Sequence, residues 1–134
     1  MILVDTSVLI DWLKGNENPK TKVFDTVISS GALFAISILT YQEILQGAKN
    51  DSEYGKLKSY LGTQTIIYLP QEPSFYDEAA NIYRQPRSSG KTIRSTVDVL
   101  IAMTAIVHEV ALLHNDRDFD LLANELDGLE IVSA

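Results

Sequence analysis

Three apolar residues, Ile2-Leu3-Val4, run straight into a carboxylate and two hydroxyls, Asp5-Thr6-Ser7, and then into a second apolar stretch from Val8 to Leu13. An apolar run this short, ending in Asp, Thr and Ser, reads as a buried strand feeding the start of a helix. In an open parallel sheet that junction lies at the carboxyl edge of the strand, where such folds bind ligands. Asp5 is then either a helix cap or a ligand for something held in a cleft. The presence of other carboxylates at equivalent junctions decides between the two.

The rest of the chain repeats the alternation. Val8, Leu9, Trp12 and Leu13 mark a short helical face that stops near Gly15, and Asn16 to Asn18 form a turn. Pro19 suits a first helical position, with Phe24, Val27 and Ile28 on the apolar side of a helix that ends by Gly31. Leu33 to Ile36 reads as a second strand. Tyr41, Ile44, Leu45 and Ala48 have helical spacing, and Asn50-Asp51-Ser52 breaks that helix. Tyr54, Leu57 and Leu61 give another, closed by Gly62. Ile66 to Leu69 reads as a third strand, followed by Pro70 and Pro73. Phe75, Ala79, Ile82 and Tyr83 predict a helix ending at Pro86, then a polar loop from Arg87 to Thr92. Ser95 to His108 is helical and apolar on nearly every side, with Ala102 and Ala105 four and seven residues beyond Asp98 to allow close packing. Ala111 to Leu113 is a fourth strand, Asp118 to Leu126 a helix, and Ile131-Val132 a last strand. Strands alternating with helices imply an α/β fold of three layers, α/β/α, around a central parallel sheet. The 134 residues amount to one domain, 1–134, with no internal repeat, low-complexity segment or linker.

Charge and composition restrict the function. A net charge of −7 argues against a passive nucleic-acid binder. It is compatible with an enzyme whose clustered carboxylates are neutralised by a divalent metal. The chain contains no cysteine, which excludes disulfides and thiolate metal sites. The N-terminus lacks the basic region and cleavage site of a signal peptide. The longest apolar run, Val99 to Met103, is far short of a membrane span. A cytoplasmic location and no membrane partner are the expectation.

Four carboxylates fall at junctions like that of Asp5. Glu43 lies in Thr40-Tyr41-Gln42-Glu43 and Asp98 in Ser95-Thr96-Val97-Asp98, both of which also read as capping boxes. Asp116 and Asp118 follow the fourth strand, and either suits the cap of the next helix. Each residue alone is accounted for by capping. The set is harder to explain that way, because parallel topology brings these ends to one edge of the sheet. Acids crowded there repel one another unless some protonate or a cation holds them. Hard divalent cations take carboxylate oxygens, and Mg²⁺ keeps waters that a substrate phosphate can replace.

In these segments the chain resembles a PIN domain, and more narrowly a VapC-like toxin of a toxin–antitoxin pair. The residues that carry the resemblance are Ile2-Leu3-Val4-Asp5-Thr6-Ser7, Glu43 in Thr40-Tyr41-Gln42-Glu43-Ile44, Asp98 in Ser95-Thr96-Val97-Asp98-Val99-Leu100-Ile101-Ala102, and Leu112-Leu113-His114-Asn115-Asp116-Arg117-Asp118-Phe119. The resemblance spans essentially the whole chain. It implies a PIN-like fold and a Mg²⁺- or Mn²⁺-dependent endoribonuclease. Asp5, Glu43, Asp98 and Asp116 match the acidic quartet, both catalytic and metal-binding, and Asp118 an accessory acid. Asp5 is expected to be the most central ligand. It further implies an RNA substrate, a cognate antitoxin protein and a homodimer. Many relatives carry Thr or Ser where His114 stands.

The segment from Arg84 to Arg94 holds four cations and no acid. Arg87, Lys91 and Arg94 either hold RNA phosphates or form a solvated loop that balances the nearby acids. Arg117 is expected to pair with the acids beside it. His108 reads as a helix-end residue. His114 reads as structural, with orientation of the site as the alternative. The tyrosines at 41, 54, 60, 76 and 83 read as packing, and Trp12 as core or interface. Thr6 and Ser7 are expected to cap the first helix. A haloacid-dehalogenase-type phosphatase would need a second Asp where Ser7 stands, and a receiver domain would need acids paired with Asp5. The non-enzymatic alternative is an inactive PIN-like module that binds RNA or protein, which should lack one or more of the acids.

Overall fold

The structure, a computed structural model, describes residues 1–85 and 95–133. In chain order the elements are β1 (Ile2–Val4), α1 (Thr6–Leu13), α2 (Pro19–Ser29), β2 (Phe34–Ser37), α3 (Ile38–Gln46), α4 (Asp51–Leu61), β3 (Ile66–Ile67), α5 (Pro73–Arg84), α6 (Thr96–Val107), β4 (Ala111–Leu113) and α7 (Arg117–Glu125). The strands form one sheet in the order β3-β2-β1-β4, and every pairing is parallel.

Register and side-chain alternation explain the uninterrupted apolar strands. Leu3 pairs with Ala35 on one side and Leu112 on the other, and Val4 pairs with Leu113. Successive residues of a strand face opposite sides of the sheet. Leu3, Ala35 and Leu112 accordingly enter a core with Phe75, Met103 and Phe119 of α5, α6 and α7. Val4, Ile36 and Leu113 enter a second core with Leu9, Phe24 and Leu61 of α1, α2 and α4. Both faces are therefore covered, and the three-layer expectation holds.

The sequence of crossovers creates the site. From β1 the chain returns through α1 and α2 to β2, and through α3 and α4 to β3, always on one face. It then crosses through α5 and α6 on the opposite face to β4, on the far side of β1. The direction of winding reverses between β1 and β4, and α/β sheets open their ligand crevice at such a point.

Three expectations change at the edges of the fold. The third strand has two residues rather than four. The last strand reduces to a single parallel bridge between Leu112 and Ile131, held by Leu112 N–H to Glu130 O and Val132 N–H to Leu112 O. The tyrosines divide: Tyr41 and Tyr60 are half-buried against the second core, whereas Tyr54, Tyr76 and Tyr83 are exposed. An apolar ring with a phenolic end serves equally well at a wet boundary. Trp12 is half-buried, edge-on to Phe24, and donates from Nε1 to Asp25 Oδ1.

Candidate active site

β1 ends at Asp5, whose extended backbone (φ −75°, ψ 158°) makes it the N-cap of α1. Its Oδ2 accepts both the Ser7 backbone N–H at 3.0 Å and the Ser7 hydroxyl at 2.6 Å. Asp5 is the cap; Thr6 and Ser7, expected in that role, are the first residues of the helix and use their hydroxyls elsewhere. Ser7 Oγ accepts the Asn115 backbone N–H at 2.9 Å, linking α1 to the turn that follows β4. Thr6 Oγ1 donates to Glu43 Oε1 at 2.7 Å and lies 3.0 Å from Thr40 Oγ1.

Glu43 is not part of a capping box. α3 begins five residues earlier, at Ile38, and Ser37 is its cap, accepting from Leu39 N–H at 3.1 Å. Placing the helix start at Thr40 overlooked the switch from strand to helix directly after Ser37. With the capping explanation gone, the bond from Thr6 is what holds the Glu43 carboxylate. Asp98 does lie in the first turn of α6, where its own N–H is bound by Ser95 Oγ at 3.3 Å. Asp116 caps α7, its Oδ1 accepting from Asp118 N–H at 2.9 Å.

The five acids gather at the crevice between β1 and β4. Asp98, Asp116 and Asp118 each offer a carboxylate oxygen within 4.8 Å of those of the other two. Burial pushes Asp98 up from the usual 3.8 to about 7, with further contributions from Asp5, Asp116, Asp118 and Glu43 in turn. The charges of all four other acids thus reach Asp98. Asp5 is 4% exposed, and burial raises its pKa too, against the lowering effect of the Ser7 hydrogen bonds. Asp118, expected only as an accessory, belongs to the tightest three.

Arg117 is exposed and pairs with neither neighbouring acid. Among the described residues, no Lys or Arg forms an ion pair with any of the five carboxylates. A first-turn arginine points away from the helix axis into solvent, where pairing returns little. Arg87, Lys91 and Arg94 lie outside the described residues. His108 is the exposed C-cap of α6. His114 is buried at the end of β4, with Nδ1 accepting from Asp116 N–H at 3.1 Å and Nε2 3.3 Å from Asp120 Oδ1. Burial lowers its pKa below 6.5, only partly opposed by Asp120. The hydroxyl network of Thr6, Ser7 and Thr40 was missed from the sequence, although a Thr and a Ser directly after a strand-terminal Asp were the available signal.

Chemically the cluster is an all-oxygen donor set with surplus negative charge. Such a set fits a hard divalent cation, which offsets the burial and the repulsion that together raise Asp98 to about 7.

Comparison with known proteins points the same way. The profile of the PIN domain matches residues 2–125. Ribonuclease VapC11 of Mycobacterium tuberculosis is 32% identical over 124 residues, 92% of each chain. Ribonuclease VapC1 of Methanocaldococcus jannaschii is 31% identical over 122 residues, 90% of this chain and 80% of its own. Among solved structures, VapBC2 from Rickettsia felis bound to a DNA fragment from their promoter aligns with a TM-score of 0.71 at 20% identity, over 98% of both chains. FitAcB from Neisseria gonorrhoeae aligns with a TM-score of 0.71 at 22% identity, over 99% of this chain and 97% of that one.

Proposed function

The chain belongs to the PIN domain family, and from that premise we propose that it is a divalent-metal-dependent endoribonuclease, the toxin of a toxin–antitoxin pair. One observation carries the proposal. Acids from separated parts of the chain converge where the sheet reverses its winding, none of them paired with Lys or Arg among the described residues, and burial together with the charge of the other four lifts Asp98 to about 7. An inactive interaction module would have no reason to keep so costly a set, and all five carboxylates are in place.

Asp98, Asp116 and Asp118 are the residues to hold Mg²⁺ or Mn²⁺, with Asp5 and Glu43 as the further acids whose charge reaches Asp98. When bound, such an ion lowers the pKa of a coordinated water and offsets charge developing on the phosphate. The protein's share is preorganisation. Ser7 fixes one oxygen of Asp5. Thr6 fixes Oε1 of Glu43, leaving its second oxygen to take a proton from attacking water or to reach the ion. Asp116 is held by the N-terminus of α7. The cations Arg87, Lys91 and Arg94 belong to the same reading as phosphate contacts that draw RNA to an acidic protein.

A cognate antitoxin completes the reading. A groove of about 720 Å³ between α1, α3 and α4 has Ile10, Leu13, Ile44 and Leu57 among its lining, with Lys14, Lys49 and Lys56 around it. An apolar, acid-bearing segment suits that chemistry, and one structural neighbour is a toxin–antitoxin complex from Klebsiella pneumoniae. A homodimer and a cytoplasmic site of action are part of the same proposal. The decisive experiment is incubation of the purified, antitoxin-free chain with total RNA, in Mg²⁺ and in chelator, with the cut ends mapped. Metal-dependent cleavage that disappears in Asp98→Asn is expected; cleavage unaffected by chelator and by that substitution would refute the assignment.

A further inference from the structure

The turn after β4 is held by side chains at two consecutive backbone amides. Asn115 N–H goes to Ser7 Oγ at 2.9 Å, and the Ser7 hydroxyl in turn goes to Asp5 Oδ2 at 2.6 Å. Asp116 N–H goes to His114 Nδ1 at 3.1 Å. A ring nitrogen that accepts from an amide carries no proton itself, so the imidazole hydrogen sits on Nε2, which lies 3.3 Å from Asp120 Oδ1. The ring is 2% exposed and packs against Phe119 with centroids 5.1 Å apart.

We infer that His114 is a positioning residue for the acidic site: its Nδ1 fixes the backbone of Asp116, and so directs the Asp116 carboxylate toward those of Asp98 and Asp118. Asp116 is held at its backbone by His114 and at Oδ1 by the Asp118 N–H. Both restraints are needed to define where a short side chain on a turn points. An apolar residue at 114 would fill the space but leave the Asp116 N–H without this acceptor. An amide that loses a buried partner seeks another, by rotating the turn or admitting water. Either change moves a carboxylate that must stay within 4.8 Å of two others. Ser7 performs the matching task one residue earlier, and the two restraints together set the position of Asp5 relative to Asp116 across the β1–β4 crevice.

This rests on reading the cluster as a metal site, and the test separates the two. Two variants are compared with the wild type: His114→Asn, whose side-chain oxygen can take the place of Nδ1, and His114→Leu, which keeps bulk without an acceptor. Mn²⁺ affinity is measured by titration, and hydrogen exchange of the Asp116 amide by NMR without metal. His114→Leu is expected to lose roughly 10- to 100-fold in Mn²⁺ affinity and to expose the Asp116 amide, while His114→Asn restores both. The wild-type ring should show ¹⁵N shifts with the proton on Nε2. Equal losses in both variants, or an Asp116 amide equally protected in all three proteins, would overturn the inference. If His114→Leu does not fold, a wild-type ring protonated at Nδ1, or failure of His114→Asn to keep Mn²⁺ affinity, would also overturn it. Absence of Mn²⁺ binding in a wild type whose Asp116 amide is protected would instead refute the metal-site reading.

Discussion

Asp98 concentrates the electrostatic cost of the site. Its pKa near 7 in the folded chain, against 3.8 ordinarily, means that the native state binds a proton more tightly than the unfolded state does. Stability linked to that proton is fully present below pH 3.8 and is lost as pH rises through about 7. Without divalent ions, the melting temperature attributable to this residue should therefore fall between pH 4 and 8, and Asp98→Asn should flatten that fall. Calorimetry on the two proteins in chelator checks it; a variant with the same pH slope as the wild type would contradict it. The same substitution should reduce RNA cleavage by roughly two orders of magnitude or more, as loss of a preorganised electrostatic group does. Asp5→Asn should likewise abolish cleavage with the fold intact, because the Asn side chain can still accept the Ser7 N–H and cap α1. Full metal-dependent activity in purified Asp5→Asn would reduce Asp5 to a cap.

Elements decide which of these residues were legible beforehand. β1, with its three apolar residues and terminal Asp, was readable because burial on both faces removes any alternation. α6 was readable for the same reason, with Ile101 to Ala105 all buried. The start of α3 was misplaced, because Phe34-Ala35-Ile36-Ser37 runs into Ile38-Leu39 without a change in hydropathy to mark the switch. That error hid the contact with the clearest bearing on Glu43, the hydroxyl of Thr6. A bond across 37 positions depends on how α1 and α3 pack, and no local pattern encodes it. Thr6→Val keeps the shape and removes the hydroxyl. It should lower kcat severalfold or more while changing the melting temperature little, with RNA binding unaffected; unchanged kcat would show that Glu43 needs no such support. Ser95→Ala removes the cap of α6 and should cost about 1 kcal/mol of stability, measured by urea unfolding.

For the whole molecule, the relevant quantity is surplus negative charge held in one crevice. A divalent ion that binds only the folded chain raises stability by RT ln(1 + [L]/Kd), about 2.7 kcal/mol at a hundredfold excess over Kd. Mn²⁺ should thus raise the melting temperature by several degrees for a chain of this size, and chelator should reverse it. A melting temperature indifferent to Mn²⁺ would speak for a scaffold. The overall architecture, a parallel sheet covered on both faces, followed from the alternation of apolar runs. The reversal of winding between β1 and β4 did not, since strand order depends on which face each crossover takes.

That reversal has a consequence for the life of the protein before it is complete. β4 and the turn bearing Asp116 and Asp118 come from the last quarter of the chain, yet they dock beside its first strand. A polypeptide still emerging from the ribosome, or one cut short before residue 116, carries Asp5, Glu43 and Asp98 without the partners that complete their constellation. On the proposed assignment of the site, an incomplete copy would lack two of the five acids, and activity would arrive only with the closing segment.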